Sequence, residues 1–238
     1  MTDHGTQTQG SGNQAEVRTN ALRGLWRALA RTAKRPVLAI LLLRMRTMDI
    51  EDICDPRLLR RLRWAWANPN SGAVEYLVAV ADAAATTRGS VLECGSGLST
   101  IVIGAISERT GNPVVSLESS SWWARHVQWC LKLARAQNVD YRVRGLRNFG
   151  DFDWYDLGAP VDDVTLVICD GPISTSRGGR FGLLPVCGDQ LAPNARILLD
   201  DFDRPSERQV VQRWADEFGW SLEREYTSTK GSFCSISS

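Results

Sequence analysis

Residues 91–105, VLECGSGLSTIVIGA, carry the sharpest local signal in the chain. An apolar run ending at Cys94 meets two glycines, Gly95 and Gly97, and then a helical pattern. Glycines one residue apart allow a tight turn and close approach of a ligand to the backbone, and the helix that follows offers unpaired N–H groups at its positive end. Downstream the same grammar repeats. Short β-branched runs predict strands at Ser90–Cys94, Pro113–Glu118, Val139–Val143, Val164–Cys169 and Ala195–Leu199, with helices at Ser99–Arg109, Trp122–Gln137 and Arg180–Leu191. Alternation of this kind predicts five βα units and a parallel sheet with crossover helices. Pro205 and Ser206 then open a helix, and residues 220–237 predict two strands joined around Lys230 and Gly231.

Upstream the pattern differs. Residues 1–18 are mostly Gly, Gln, Thr and Asn and predict a disordered tail. Residues 19–70 predict basic amphipathic helices: Leu22, Leu25, Trp26, Leu29, Ala33 and Val37 share one face, and Arg23, Arg27, Arg31, Lys34 and Arg35 the other. Pro36 should kink or restart that helix. Residues 21–48 suit a peripheral anchor on an anionic membrane; packing on the body or on a second subunit, which would make a homo-oligomer, is the other reading. Pro56–Ala67 predicts a further helix, Asn68-Pro69-Asn70 a break, and Ser71 a cap for the helix before Arg88. Residues 71–238 then form the ligand-binding domain.

Composition bounds the function. The 238 residues are 43% hydrophobic and 8% aromatic, with 28 Lys plus Arg against 27 Asp plus Glu. One domain with a substantial core is expected, and collagen, mucin, fully disordered and disulfide-miniprotein classes are excluded. The longest purely apolar run, Val37–Leu43, is far shorter than the roughly 20 residues of a spanning helix. Eight basic and no acidic residues lie between Val17 and Met48, which leaves 20 basic against 27 acidic elsewhere. An acidic body argues against general nucleic-acid binding. Six scattered cysteines without zinc spacing, and no secretory signal, predict a reduced, cytoplasmic setting, with membrane association through the basic arm as the variant of it.

The glycine turn is not that of a dinucleotide site. Thr100 stands where a third glycine would allow close packing on a pyrophosphate, and Glu93 would repel one, which disfavours an NAD-linked oxidoreductase. Glu93 suits a cationic ligand such as an amino acid's ammonium group. Glu118, ending the next strand, is placed to accept hydrogen bonds from ribose hydroxyls. A nucleoside ligand with a positive charge satisfies both acids.

These residues resemble those of the class I S-adenosylmethionine-dependent methyltransferases, from about Gly72 to the C-terminus. The resemblance rests on Glu93-Cys94-Gly95-Ser96-Gly97, Glu118, the strand ending Cys169-Asp170-Gly171-Pro172, and the final strand pair. It implies an α/β, Rossmann-like fold: a seven-stranded, mostly parallel sheet with the last strand antiparallel, here with an N-terminal helical extension. It also implies that Glu93, Cys94, Gly95, Ser96, Gly97, Ser99, Glu118, Ser119 and Asp170 bind the cofactor, Glu93 and the turn at its methionine part and Glu118 at its ribose.

Asp170 ends one strand and Asp200-Asp201 end its neighbour, so three carboxylates converge at one sheet edge, a donor set suited to Mg²⁺. The pattern is similar to metal-dependent O-methyltransferases of the catechol type, and more so to the macrocin O-methyltransferase type. That likeness implies metal ligands at Asp170, Asp200 and Asp201 and a small-molecule acceptor hydroxyl on a sugar or natural product. The catechol enzymes place a lysine base after the aspartate, where this chain has Gly171-Pro172-Ile173-Ser174. Proton removal would therefore fall to Asp170 or to the metal. The alternative to Mg²⁺ is that Asp170 touches only cofactor while Asp201 and Asp203 cap the helix after Pro205.

Arg177 and Arg180, in a Gly-rich loop, would bind an anionic group on the acceptor, or Arg180 would pair with one of the aspartates. The aromatic stretch 148–155 would wall the cofactor or acceptor, or pack beneath a loop. Trp122, Trp123 and Trp129 are assigned to the core and His126 to the surface. The alternative of another class is a non-catalytic docking module with a vestigial cofactor site.

Overall fold

The computed structural model describes residues 32–238. The tail and the basic arm up to residue 31, with Leu22, Leu25, Trp26, Leu29, Arg23, Arg27 and Arg31 of the predicted amphipathic helix, therefore lie outside the described residues. Helix α1 covers residues 32–45 and is followed by α2 (Ile50–Cys54), α3 (Pro56–Trp66) and α4 (Val74–Thr86). The body continues β1 (Ser90–Cys94), α5 (Leu98–Thr110), β2 (Val114–Glu118), α6 (Ser121–Ala134), β3 (Val139–Val143), β4 (Leu146–Asn148), β5 (Asp153–Tyr155) and β6 (Val164–Cys169). It closes with α7 (Leu183–Cys187), β7 (Leu191–Leu199), α8 (Pro205–Phe218), β8 (Ser221–Ser228) and β9 (Gly231–Ser237).

Seven strands form one sheet in the order β3-β2-β1-β6-β7-β9-β8. All neighbours pair in parallel except β9, which is antiparallel to both β7 and β8. Every residue of β1, β2 and β6 is buried, which explains why these strands read as mostly apolar rather than as alternating: both faces of the sheet are covered. Successive side chains alternate between two cores. Val91 joins the layer of α1–α6, and Leu92 and Cys94 join the layer of α7, α8 and the β4–β5 hairpin.

The chain leaves β1 toward β3 on one side and returns to β6 on the other. This strand-order reversal at the carboxyl ends of β1 and β6 is where open α/β sheets bind ligands. Helix boundaries follow from local chemistry. Asp55 accepts a hydrogen bond from the Arg57 N–H at 2.7 Å with Pro56 at the first turn of α3, and the α6 cap Ser120 accepts from Trp123.

Several expectations are corrected. Helix α1 passes through Pro36 without a break, and its Leu38, Leu41, Leu42 and Met45 are buried in the shared core. Ser71 does not cap α4, which starts from Ala73 without a side-chain cap; the Ser71 and Gly72 carbonyls instead accept from the Arg63 guanidinium. The helix predicted at 180–191 shrinks to α7 and a 3₁₀ turn, because Gly178 and Gly179 adopt left-handed backbone and Arg180 is drawn inward. Helix α6 stops at Ala134, where Arg135 turns left-handed. Between β3 and β6 the connection is the β4–β5 hairpin rather than a helix, its turn held by Asn148 accepting from the Gly150 N–H.

Candidate active site

At the strand-order reversal the turns after β1 and β6 touch backbone to backbone. Gly95 has φ +90°, and a Cβ there would lie 2.6 Å from the Gly171 nitrogen and 2.8 Å from its Cα. The Cys94 carbonyl accepts from both the Asp170 and Gly171 N–H groups, at 3.0 and 2.7 Å. Gly95 is thus required by the fold of the site. Gly97 differs: its φ is −173°, and the nearest atom to a Cβ would be Ser99 Oγ at 4.0 Å. That open space faces a cavity of about 620 Å³, a size typical of small-molecule sites.

Gly95, Ser96, Gly97, Ser99, Glu118, Ser119 and Asp170 all line this cavity. Glu93 and Cys94 do not; both are fully buried behind the turn. Glu93 accepts from Ser99 Oγ at 2.6 Å and from Ser116 Oγ, and burial pushes its carboxyl up to about 7 despite these bonds. Glu118 spans the turn and the next helix. It accepts from Ser96 N–H and Oγ on one oxygen and from Ser120 N–H at 2.7 Å on the other. Those three donors leave carboxylate lone pairs for a further partner.

The far wall was hidden from the sequence reading. Arg35 and Leu38 of α1, Trp66 of α3, Gly72, Tyr76 of α4 and Ile173 line it. His126 is half-buried on this wall, not at the surface, 4.8 Å from the Trp66 ring and 5.3 Å from Trp123. Burial, then the Arg35 charge, lower its pKa. Trp123 donates its indole N–H to the Ser96 carbonyl at 2.9 Å, which ties α6 to the glycine turn. Trp122 and Trp129 are 69% and 42% exposed, so neither belongs to the core. Of the aromatic stretch, Tyr155 reaches the cavity, while Trp154 and Phe152 pack beneath it. A helical repeat of tryptophans carries no signal of which face meets a ligand, so only the tertiary packing reveals this wall.

Asp170, Asp200 and Asp201 converge as predicted, with one carboxylate oxygen of each within 4.8 Å of the others. Arg180, 2% exposed, sits against them. Its Nη2 donates to the Asp170 carbonyl at 2.8 Å, to Asp170 Oδ1 at 3.3 Å and to Asp201 Oδ2 at 2.8 Å, and Nη1 donates to the Asp200 carbonyl. Its Nε faces buried Glu207 Oε2 at 3.9 Å. Arg180 is therefore internal and cannot meet an acceptor anion, and Arg177 donates to the Gly150 carbonyl. Neither Asp201 nor Asp203 caps α8; Asp203 accepts from the Ser232 N–H instead. Three carboxylates here pair with two guanidiniums, Arg180 and Arg204, with Asp200 beside them under the charge of Lys230, and burial together with the mutual repulsion of the aspartates shows in the protonation equilibria. Burial and the Asp200 charge raise Asp170 well above the ordinary range, and burial and the Asp201 charge push Asp200 up to about 6.

No family model and no curated protein matches this chain by sequence. Solved structures do match. A putative caffeoyl-CoA O-methyltransferase from Staphylococcus aureus superposes with a TM-score of 0.55 over 77% of this chain and 92% of its own, at 13% identity. An O-methyltransferase from Bacillus cereus in complex with SAH gives 0.52 over 79% and 90%, at 15% identity. The chain has the class I methyltransferase fold. A putative O-methyltransferase from Klebsiella pneumoniae shares it, with a TM-score of 0.50 over 79% of this chain and 88% of its own at 16% identity. The seven-stranded, mostly parallel sheet with its antiparallel last strand is what the sequence resemblance implied.

Proposed function

We propose that this chain binds S-adenosylmethionine and transfers its methyl group to an oxygen of a small-molecule acceptor, a sugar or natural-product hydroxyl, with a divalent cation such as Mg²⁺ assisting. The observation that carries the reading is Gly97. Its backbone would accept any residue, yet the space beside it is left open to the cavity with Glu118 on the same rim. A cradle of that shape is what a ligand lying on the turn requires.

When bound, the cofactor supplies a methyl group already activated on a sulfonium. The chain's task is then alignment and proton removal. Glu118, oriented by Ser96 and Ser120, accepts from ribose hydroxyls. Glu93 braces the turn from behind through Ser99. Asp170 lies on the cavity wall beside the Gly95–Gly171 contact, where its carboxylate is placed to take the acceptor hydroxyl's proton.

The donor set of Asp170, Asp200 and Asp201 fits a hard divalent cation, since all three offer oxygen ligands and one oxygen of each lies within 4.8 Å of the others. These three would hold it, and it would bind two neighbouring acceptor hydroxyls and ease the ionisation of one. Calorimetry tests the core of the proposal: the intact protein should bind S-adenosylmethionine, and absence of binding overturns it. Chelation, or Asp200→Ala, should abolish turnover while sparing cofactor affinity; unchanged turnover removes the metal from the mechanism.

A further inference from the structure

Helices α1, α3 and α6 lie side by side on one flank. Lys34 of α1 stands 4.4 Å over the Trp64 ring of α3, Trp66 of α3 packs on Trp123 and His126 of α6, and Arg46 beyond α1 donates to the Leu133 carbonyl of α6 at 2.7 Å. Each helix turns a stripe outward at helical spacing. On α1 it is Val37, Ile40, Leu43 and Arg44; on α3, Arg57, Arg60, Arg61 and Trp64; on α6, Trp122, Arg125, Trp129 and Lys132. All twelve side chains are exposed, and Ile40, Trp64 and Trp122 are 57%, 55% and 69% so.

Two features distinguish this flank from an ordinary solvated face. The three helices contain nine Lys and Arg residues within their described spans and no Asp or Glu. Six of the eleven large apolar side chains exposed on the described residues belong to them. Alternating Trp, aliphatic and Arg side chains with no acid among them match the boundary of an anionic bilayer: the rings and aliphatics enter the headgroup layer while guanidiniums meet lipid phosphate. Among the described residues ahead of α4, the acidic ones are confined to the α2 segment, where Asp49 and Asp55 are spent capping helices.

We infer that the α1–α3–α6 flank docks on an anionic lipid surface. A partner protein would need a compensating acidic face, and a second copy would set nine cations against nine, so charge favours the bilayer. Trp122 is also part of the cavity lining, so the docked flank carries the cavity rim with it.

Flotation of the full chain tests this, using vesicles of phosphatidylcholine alone or with about one third phosphatidylglycerol. Binding should need the anionic lipid and fall about tenfold when salt rises from about 0.1 to about 0.5 M. The variant Val37→Ser/Ile40→Ser/Leu43→Ser and the variant Arg57→Gln/Arg60→Gln/Arg61→Gln should each lose about tenfold or more in partition coefficient. None of these six residues lines the cavity, so circular dichroism and thermal unfolding should be unchanged. Should the triple apolar variant misfold, Ile40→Asp alone serves, since that side chain is the most exposed apolar one of the α1 stripe. Equal binding to neutral vesicles, no binding to either, or undiminished binding by both variants overturns the inference. So does sedimentation showing a dimer that the variants dissolve, which would give the flank to a second copy.

Discussion

Gly95 and Gly97 look alike in sequence and do different things. The missing Cβ of Gly95 makes room for the Gly171 backbone, and its positive φ strains any other residue. Gly95→Ala should therefore destabilise the fold by about 3 kcal/mol or more, read as a shift in the urea midpoint. Gly97→Leu should leave that midpoint nearly unmoved and lower S-adenosylmethionine affinity at least about a hundredfold by calorimetry, since the side chain would fill the cavity floor. Sequence inspection shows that both glycines matter but cannot separate these roles, because the Gly95 partner lies 76 positions away. Glu93 carries a second residue-scale consequence. Its folded pKa is about 7 against an ordinary 4.5, so the folded state holds a proton that the unfolded chain has released between those values. Stability of the ligand-free protein should accordingly fall as pH rises from about 4.5 to about 7. Glu93→Gln should flatten that slope, with Ser99 and Ser116 still able to bond the amide; denaturation series across this pH range decide it.

Among elements, strands were legible as short β-branched runs, whether burial is complete, as in β1 and β6, or partial, as in β3. Strands β1, β3 and β6 fall where their apolar and β-branched runs predict, residue for residue. The β4–β5 hairpin escaped notice because three-residue strands are too short to show a period, and the helix predicted at 180–191 is shorter in the structure because Arg180 is drawn into the aspartates ahead of α7. That arginine ties together the ends of β6 and β7 and, through Glu207, the first turn of α8. Arg180→Met should cost roughly 3–5 kcal/mol, because it strands buried carboxylates without their cation. Lowering the pH should restore part of the loss as Asp170 and Asp200 protonate, which equilibrium unfolding at two pH values would reveal.

At the scale of the whole molecule, α1 is part of the body. Its four buried apolar side chains share one core with α4 and α5, and its Arg35 and Leu38 complete the cavity wall. A chain beginning after residue 48 should lose solubility or its single cooperative melt in calorimetry, since burying each such side chain is worth about 1.5–3 kcal/mol. Amphipathicity alone marked this region as a surface helix. It could not tell which apolar stripe meets the body, because α1 is apolar on both sides and only contact with α5 and α6 breaks the tie. The glycine turn, Glu118 and the triple aspartate were legible because each ends or follows a strand, where the sheet fixes its position. The roof over them was not, because helices packed on a sheet edge carry no register in their sequence.

A single oxygen, the Cys94 carbonyl at the end of β1, holds two successive amides of the turn after β6, and Gly95 rests directly on Gly171. No rotamer intervenes between the seat beside Gly97 and the carbon that bears the Asp170 carboxyl. Tolerance for misalignment in any reaction run there is set by the stiffness of pleated backbone, so warping the β-layer anywhere near its midline should blunt turnover before it loosens a ligand.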